Sequence, residues 1–143
     1  MKIASVLGYL CMMAGLIGLL LTGNLLFASW WVIALQSIAV LLFLWARLTF
    51  GRRSYHVEAH PTAGGLVTNG PYRYIRHPIY SAICIFTWAG AVAHWSWSSG
   101  LLAGLVFGSA IFRIYCEEVL VEARYPGYAD YRATTWRLIP YLY

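Results

Sequence analysis

Four long apolar runs restrict this chain to folds that a lipid bilayer can hold. They cover residues 3–21, 26–46, 79–93 and 100–115. A helix needs about 20 residues to cross the roughly 30 Å hydrocarbon core, so the last two runs need flanking residues. Because 61% of residues are hydrophobic and only 10% are charged, we expect an all-α integral membrane protein with about four transmembrane helices in one domain, residues 1–143.

The first run also resembles a signal peptide, since Lys2 precedes an apolar stretch. No small-residue cleavage site closes it cleanly, and three further runs follow. We therefore interpret it as an uncleaved transmembrane helix.

The arginines are distributed asymmetrically. Eight lie either between the second and third runs or in the tail: Arg47, Arg52, Arg53, Arg73, Arg76, Arg124, Arg132 and Arg137. The loops at residues 22–25 and 94–99 hold no Lys or Arg. The positive-inside rule therefore places both termini and the long central loop in the cytoplasm. The net charge of +5 fits this topology and membrane lipids as partners, with no case for nucleic acid.

Cysteines and histidines show no metal-binding pattern. The three cysteines, Cys11, Cys84 and Cys116, are scattered in apolar runs and are expected to be small buried hydrophobes. His56 and His60 flank Glu58, but Pro61 follows at once and no further ligand cluster exists. We interpret that stretch as a solvated loop and predict no metal site.

The fourth run predicts both packing and the shape of the tail. Its glycines at 100, 104 and 108 repeat every four residues, which favours close approach of another helix. Polar residues begin after Cys116, and the helix should continue to about Arg124, before Pro126. Tyrosines at three-residue spacing then indicate a short interfacial helix that ends near residues 138–140.

A dense polar and aromatic cluster precedes the third run. Residues 69–80 combine two arginines, a histidine, three tyrosines and two prolines. Proline disfavours helical geometry in the residue before it, so His77 should lie at the entry to the third helix, where free N–H groups suit an anionic ligand group. The glycines at 64, 65 and 70 add backbone freedom. We interpret the cluster as a ligand site at the membrane surface.

Arg113 and Glu117 are four residues apart where the fourth helix leaves the membrane. They could form a simple helix salt bridge, or the arginine could extend to the interface. However, an ionisable residue about one turn inside a span is a functional candidate.

Two segments, in order, resemble the isoprenylcysteine carboxyl methyltransferase family: residues 66–72, LVTNGPY, and 76–80, RHPIY. The tail is similar to that family's C-terminal signature at Glu117, Glu118, Val121, Tyr125, Tyr128, Tyr131 and residues 137–140. The likeness covers about residues 66–140. It is specific for the membrane methyltransferase superfamily, which includes phospholipid and thiol methyltransferases, and less specific for the acceptor.

The resemblance implies S-adenosylmethionine as cofactor, bound in a cytoplasm-facing pocket within residues 49–143, with residues 1–48 forming two generic helices. The implied contacts are Leu66, Val67, Tyr72, His77, Pro78, Tyr80 and Glu117. Gly64 and Gly65 are also assigned to the cofactor site, but they stand where members often have a histidine, so a side-chain contact from there is lost or becomes a backbone contact. Arg113 falls where the family places a residue that engages the acceptor's carboxylate.

The acceptor is expected to be a lipophilic or lipidated molecule with a carboxylate of the isoprenylcysteine type, and an amine or thiol acceptor stays open. A small multidrug transporter is a poorer fit, because the first three helices hold no Asp or Glu. A non-enzymatic membrane protein is the other alternative. Nine arginines against one lysine favour a GC-rich genome and a prokaryotic inner membrane. The sequence does not indicate an oligomeric state.

Overall fold

The computed structural model describes residues 2–51 and 65–141. These residues form the helices α1 (Lys2–Leu21), α2 (Trp30–Phe50), α3 (Pro78–Ala93), α4 (Trp97–Arg124) and α5 (Tyr128–Thr134), with a 3₁₀ turn at Gly70–Arg73. Outside the described residues lie Gly64, the arginines at positions 52 and 53, and the stretch at residues 56–60 that is interpreted above as a solvated loop.

The chain is an all-α membrane protein, as the apolar runs predict. Helices α1, α2 and α4 are each long and apolar enough to cross a bilayer, whereas α3 is a shorter apolar helix of 16 residues. At 1.5 Å per residue, α3 is about 24 Å long and α4, with 28 residues, about 42 Å. Helix α4 therefore extends beyond the hydrocarbon core, and it continues to Arg124 as predicted.

Helix α1 packs along α4 through its own glycines. A Cβ at Gly15 would lie 2.7 Å from Val106 Cγ2, and one at Gly18 would lie 2.8 Å from Leu102 Cδ2. By contrast, a Cβ at Gly104 or Gly108 would meet nothing within 4 Å. The prediction that the α4 glycines mediate close packing is therefore wrong within the described chain, because their face of α4 points away from the neighbouring helices.

Helix α2 packs against α3, and α3 against α4. Buried Gln36 on α2 donates from Nε2 to the carbonyl oxygens of Leu25 (2.7 Å) and Phe86 (3.2 Å). The Leu25 carbonyl is available because α2 begins at Trp30 rather than at residue 26. The same carbonyl abuts Gly90 of α3 so closely that a Cβ there would overlap it.

The tail departs from prediction. Helix α5 ends at Thr134, not near residues 138–140, because the following residues pair with the segment before α3. Trp136 forms a parallel bridge with Ile75, and the buried Ser81 hydroxyl donates to the Leu138 carbonyl at 2.6 Å. These bonds hold the tail across the start of α3.

The bundle has two chemically different ends. At one end α1 begins, α2 ends, α3 begins and α4 ends. We call it the polar end, since the tail and the buried charged side chains lie there. The opposite end holds the 22–29 and 94–96 connections.

Candidate functional site

The polar end is built on a rigid turn before α3. The Pro71 carbonyl accepts hydrogen bonds from the amides of Tyr74 (3.1 Å) and Ile75 (3.0 Å). The next two amides, of Arg76 and His77, donate to the carbonyls of Trp136 (2.7 Å) and Arg137 (3.1 Å). Pro78 occupies the first helical position of α3, as its lack of an N–H allows. The His77 side chain makes no cap hydrogen bond and points to α4 instead.

Buried Glu118 on α4 gathers this turn and the tail. Its Oε1 accepts from Arg76 Nε (3.1 Å) and lies 3.2 Å from His77 Nε2, while its Oε2 accepts from Arg137 Nη2 at 2.7 Å. Arg76 continues to the backbone carbonyls of Arg132 (3.1 Å) and Thr135. A carboxylate that is 94% shielded needs such partners, because burial of an unpaired charge is costly. Glu118 therefore connects α4, the turn and the tail.

Glu117 forms a second network with α1 and α3. Its Oε1 accepts from the Tyr80 hydroxyl and from Arg113 Nη2 at 3.3 Å. Arg113 also donates from Nε to the Tyr80 oxygen (2.7 Å) and from Nη1 to the Ser5 carbonyl (2.8 Å). Arg113 is thus paired within the membrane span, where an isolated charge would be unfavourable. The second Glu117 oxygen, Oε2, lies 3.8 Å from His77 Nδ1, beyond hydrogen-bonding distance.

One cavity of about 560 Å³ connects both networks, a volume typical of small-molecule sites. Its charged wall holds Arg47, Arg76, Arg113, Glu117 and Glu118. Its apolar wall includes Met12, Met13 and Leu16 of α1 and Phe43 of α2. The cavity can therefore accept a molecule with one polar and one apolar end.

The structure brings nearly all of the sequence-predicted residues together at this cavity. Its lining includes Gly65, Leu66, Val67, Tyr72, His77, Pro78, Tyr80, Arg113 and Glu117. Gly64 lies outside the described residues. The roles assigned to these residues, including direct contact between Arg113 and an acceptor, stay predictions.

Sequence reasoning missed the lining residues of α1 and α2. Tyr9 lies beneath the Arg113 guanidinium, 5.2 Å from carbon to ring centroid, and Arg47 lies 5.7 Å over the Phe43 ring. Arg47 entered the sequence analysis only as a topology signal. Its position about one turn before the end of an apolar helix was the available clue, since charge at that depth suggests a function.

Tyrosines of the turn and of α5 close the cavity on the tail side. The Tyr131 hydroxyl donates to the Tyr72 carbonyl at 2.6 Å. Burial raises the pKa of Tyr131 to about 12, and burial also raises the pKa of Tyr72 and of Tyr128. All three phenols are therefore neutral hydrogen-bond donors at physiological pH.

Comparison with known proteins gives one match. The family model described as phospholipid methyltransferase matches residues 21–127. No curated protein and no solved structure matches the chain. The matched residues include α2, the turn, α3 and all of α4, and thus both Glu117 and Glu118.

Proposed function

The chain belongs to the phospholipid methyltransferase family, and we propose that it transfers a methyl group from S-adenosylmethionine to a lipophilic acceptor. The observation that carries this proposal is the cavity at the polar end, which combines charged side chains of the turn, α2 and α4 with apolar side chains that include those of α1 and α2. A polar cofactor and a lipid-soluble acceptor need such a boundary, because each is soluble on only one side of it.

The residues present fit the cofactor. Glu117 lines the cavity with a side chain that is 24% exposed, and a partly accessible carboxylate suits an ammonium group. Neutral Tyr72 adds a phenol donor, Tyr128, whose phenol is hydrogen-bonded to Glu118, adds a ring face, and residues 65–67 line the same cavity. When bound, S-adenosylmethionine supplies an activated methyl group on a sulfonium.

The chain's own contribution is alignment and exclusion of water. Arg113 fixes the Tyr80 hydroxyl and the Glu117 carboxylate relative to each other, and it ties both to α1 through Ser5. Met12 and Leu16 of α1 cover the cavity with apolar surface. Alignment of two bound groups in a dry site can lower a displacement barrier by several kcal/mol, about 7–11 in favourable models.

We further propose an acceptor with a carboxylate of the isoprenylcysteine type. Three arginines and two carboxylates line the cavity, so its fixed charge favours an anionic acceptor group. Such a group is ionised at neutral pH and needs no general base. A phospholipid amine is the second candidate, supported by the family match. The amine would have to lose a proton before it accepts a methyl group. The imidazole of His77, whose Nδ1 lies 3.8 Å from Glu117 Oε2, lines the same cavity.

The proposed setting is a prokaryotic inner membrane, with the polar end on the cytoplasmic side where the cofactor is made. The arginine asymmetry supports this orientation. Reporter fusions after Thr22 and after Ser96 should give external signals. An internal signal at either site would contradict the orientation and leave the chemistry untouched.

Labelled cofactor identifies the reaction. Purified protein is incubated with methyl-labelled S-adenosylmethionine and membrane extract, and the labelled product is treated with alkali. A methyl ester releases volatile methanol, whereas an N-methyl or S-methyl product keeps its label. Calorimetry on His77→Ala and Glu117→Ala should show cofactor affinity weakened by about 1–3 kcal/mol each. No labelled product and no cofactor binding would favour a non-enzymatic membrane protein.

A further inference from the structure

A second cavity lies deeper in the bundle, between α1, α2 and α3. It has a volume of about 340 Å³, and its wall includes Leu20, Leu25, Ala39, Ala82 and Phe86. We call it the tail cavity, with reference to a hydrocarbon tail and not to the C-terminal tail of the chain. Its one hydroxyl-bearing residue, Thr87, donates to the Ile83 carbonyl of its own helix at 2.7 Å. Among the described residues that line it, the tail cavity therefore has no side-chain polar group without a hydrogen-bond partner, and it suits hydrocarbon alone.

The tail cavity adjoins the cavity at the polar end. Leu16, Phe43 and Ile83, one from each of three helices, line both. Ala39 precedes Arg47 by eight positions on α2, which corresponds to about 12 Å along the helix axis. A hydrocarbon chain attached to a reacting group beside Arg47 therefore needs to extend about 12 Å to reach the tail cavity.

The bundle is also open to the surrounding lipid beside the tail cavity. Helix α1 packs on α4, and α2 packs on α3, but among the described residues α1 and α2 make at most sparse contact with each other. Several residues at the boundary between α1 and α2 are exposed to lipid, including Ile17 and Val40, which also line the tail cavity. A chain can therefore enter sideways from the bilayer between α1 and α2.

We propose that the tail cavity binds the hydrocarbon chain of the methyl acceptor and selects acceptors by the length and bulk of that chain. This inference rests on the proposed function. Movement of a chain from lipid into an apolar cavity gains little from the hydrophobic effect, because lipid is equally apolar. Selection therefore depends on fit: a chain that fills the cavity gains dispersion contacts, and one that exceeds it clashes.

Ala39 and Ala82 are the specificity-determining positions. They are 1% and 2% exposed and line the tail cavity from α2 and α3. Small side chains there leave the space that a longer chain would occupy. Ala39→Phe should therefore shorten the cavity while the charged wall at Arg47 and Glu117 is unchanged.

Photo-crosslinking tests occupancy without turnover. The full chain in vesicles is exposed to two probes that carry a diazirine at the chain terminus, a phosphatidylethanolamine and an S-prenyl cysteine. We expect one probe to label Leu20, Leu25 and Phe86, with adducts reduced at least tenfold in Ala39→Phe. Labelling at exposed Leu101 on α4 reports ordinary lipid contact and should not change. Equal labelling of cavity and exterior residues by both probes would overturn the proposal.

Product analysis tests selection. With a total lipid extract as acceptor source, mass spectrometry of methylated products should show a shift toward shorter chains in Ala39→Phe. Val40→Phe, at the partly exposed rim, gives a second filled variant should the first fail to fold. The exposed Ala34→Phe is the matched control and should leave the distribution unchanged. Unaltered products in both filled variants would contradict the proposed role of the tail cavity in chain selection. Absence of any methylated product from the wild-type protein would contradict the proposed function instead.

Discussion

The two ends of the bundle satisfy their polar groups in different ways. At the opposite end, partners are neutral and mostly backbone: Gln36 donates to two carbonyls, and Ser99 forms a capping box with Ser96. At the polar end, charged side chains from the turn, α4 and the tail meet around Glu117 and Glu118, and α3 adds the Tyr80 hydroxyl.

This contrast separates architecture from chemistry within one fold. At the opposite end, Gln36 and Ser99 direct their donors to backbone carbonyls. The polar end is held together at Glu118, while Glu117 lines the cavity with a side chain that is 24% exposed. Adjacent glutamates thus have different surroundings: one is shielded by two arginines and a histidine, and the other is accessible. Substitutions at the two ends should therefore differ in kind.

The largest expected effect is on turnover at the polar end. Arg113→Ala removes the donors to Ser5, Tyr80 and Glu117 and should lower kcat/KM for methyl transfer by about 10²-fold or more, as expected when alignment is lost. Arg113→Lys should restore only part, because an ammonium cannot reproduce the planar fork. Steady-state kinetics with labelled cofactor measures both. An Ala variant with wild-type kcat/KM would remove the functional distinction between the two ends.

The next effect is on stability. Glu118→Gln leaves Arg76 and Arg137 facing a neutral side chain and should cost about 3–5 kcal/mol of unfolding free energy. Denaturant titration in micelles measures this loss. The matched control is Glu122→Gln, whose half-exposed partner Arg132 lies 3.7 Å away, and which should change stability by at most about 1 kcal/mol. Similar losses for both would mean that Glu118 does not organise the polar end.

A smaller effect is expected where backbones touch at the opposite end. Gly90→Ala places a Cβ against the Leu25 carbonyl, which cannot move without disturbing Gln36, and should cost about 1–3 kcal/mol. Gly104→Ala meets open space and should instead stabilise α4 by about 0.5–1 kcal/mol. Thermal unfolding distinguishes the signs. Loss of turnover per folded molecule in Gly90→Ala would contradict a purely architectural role for this end.

The smallest effect belongs to Gln36. Gln36→Leu removes two hydrogen bonds to backbone carbonyls and should cost about 0.6–1.7 kcal/mol, the range for interhelical hydrogen bonds in membranes. Cofactor affinity should be unaltered, which calorimetry can check. A change in affinity as large as that of Glu117→Ala would show that the two ends are coupled.

Local pattern was sufficient to predict most of the fold and the location of the site. Apolar runs mark α1 to α4, of which α1, α2 and α4 are long enough to match the bilayer and α3 is shorter, and the stop before Pro126 follows from proline chemistry. The cluster at residues 69–80 indicated a ligand site because its residue types are costly in a plain linker. Tyr72 and residues 76–80 of this cluster do line one cavity with Arg113 and Glu117.

Long-range pairing was not predictable from those patterns. The residues around Glu118 in the sequence do not indicate that its partner is Arg76, 42 positions away. Those around Trp136 do not indicate that it pairs with Ile75. The glycines of α4 failed as a guide for the same reason. Spacing shows that small residues share a face, but the neighbours of that face depend on how α1 and α3 occupy the other sides of α4. The lining role of Arg47 likewise depends on the α2–α3 contact.

The pairing of the tail with the turn before α3 also has a consequence for biosynthesis. Helices α1 to α4 can insert one after another as the ribosome delivers them. The Arg76 and His77 amides, however, obtain their carbonyl partners only when Trp136 and Arg137 have emerged. Until then these two amides lack their partners, and Glu118 lacks Arg137. We therefore expect a nascent chain with α1 to α4 inserted to be unable to bind a ligand until residues 136 and 137 have emerged.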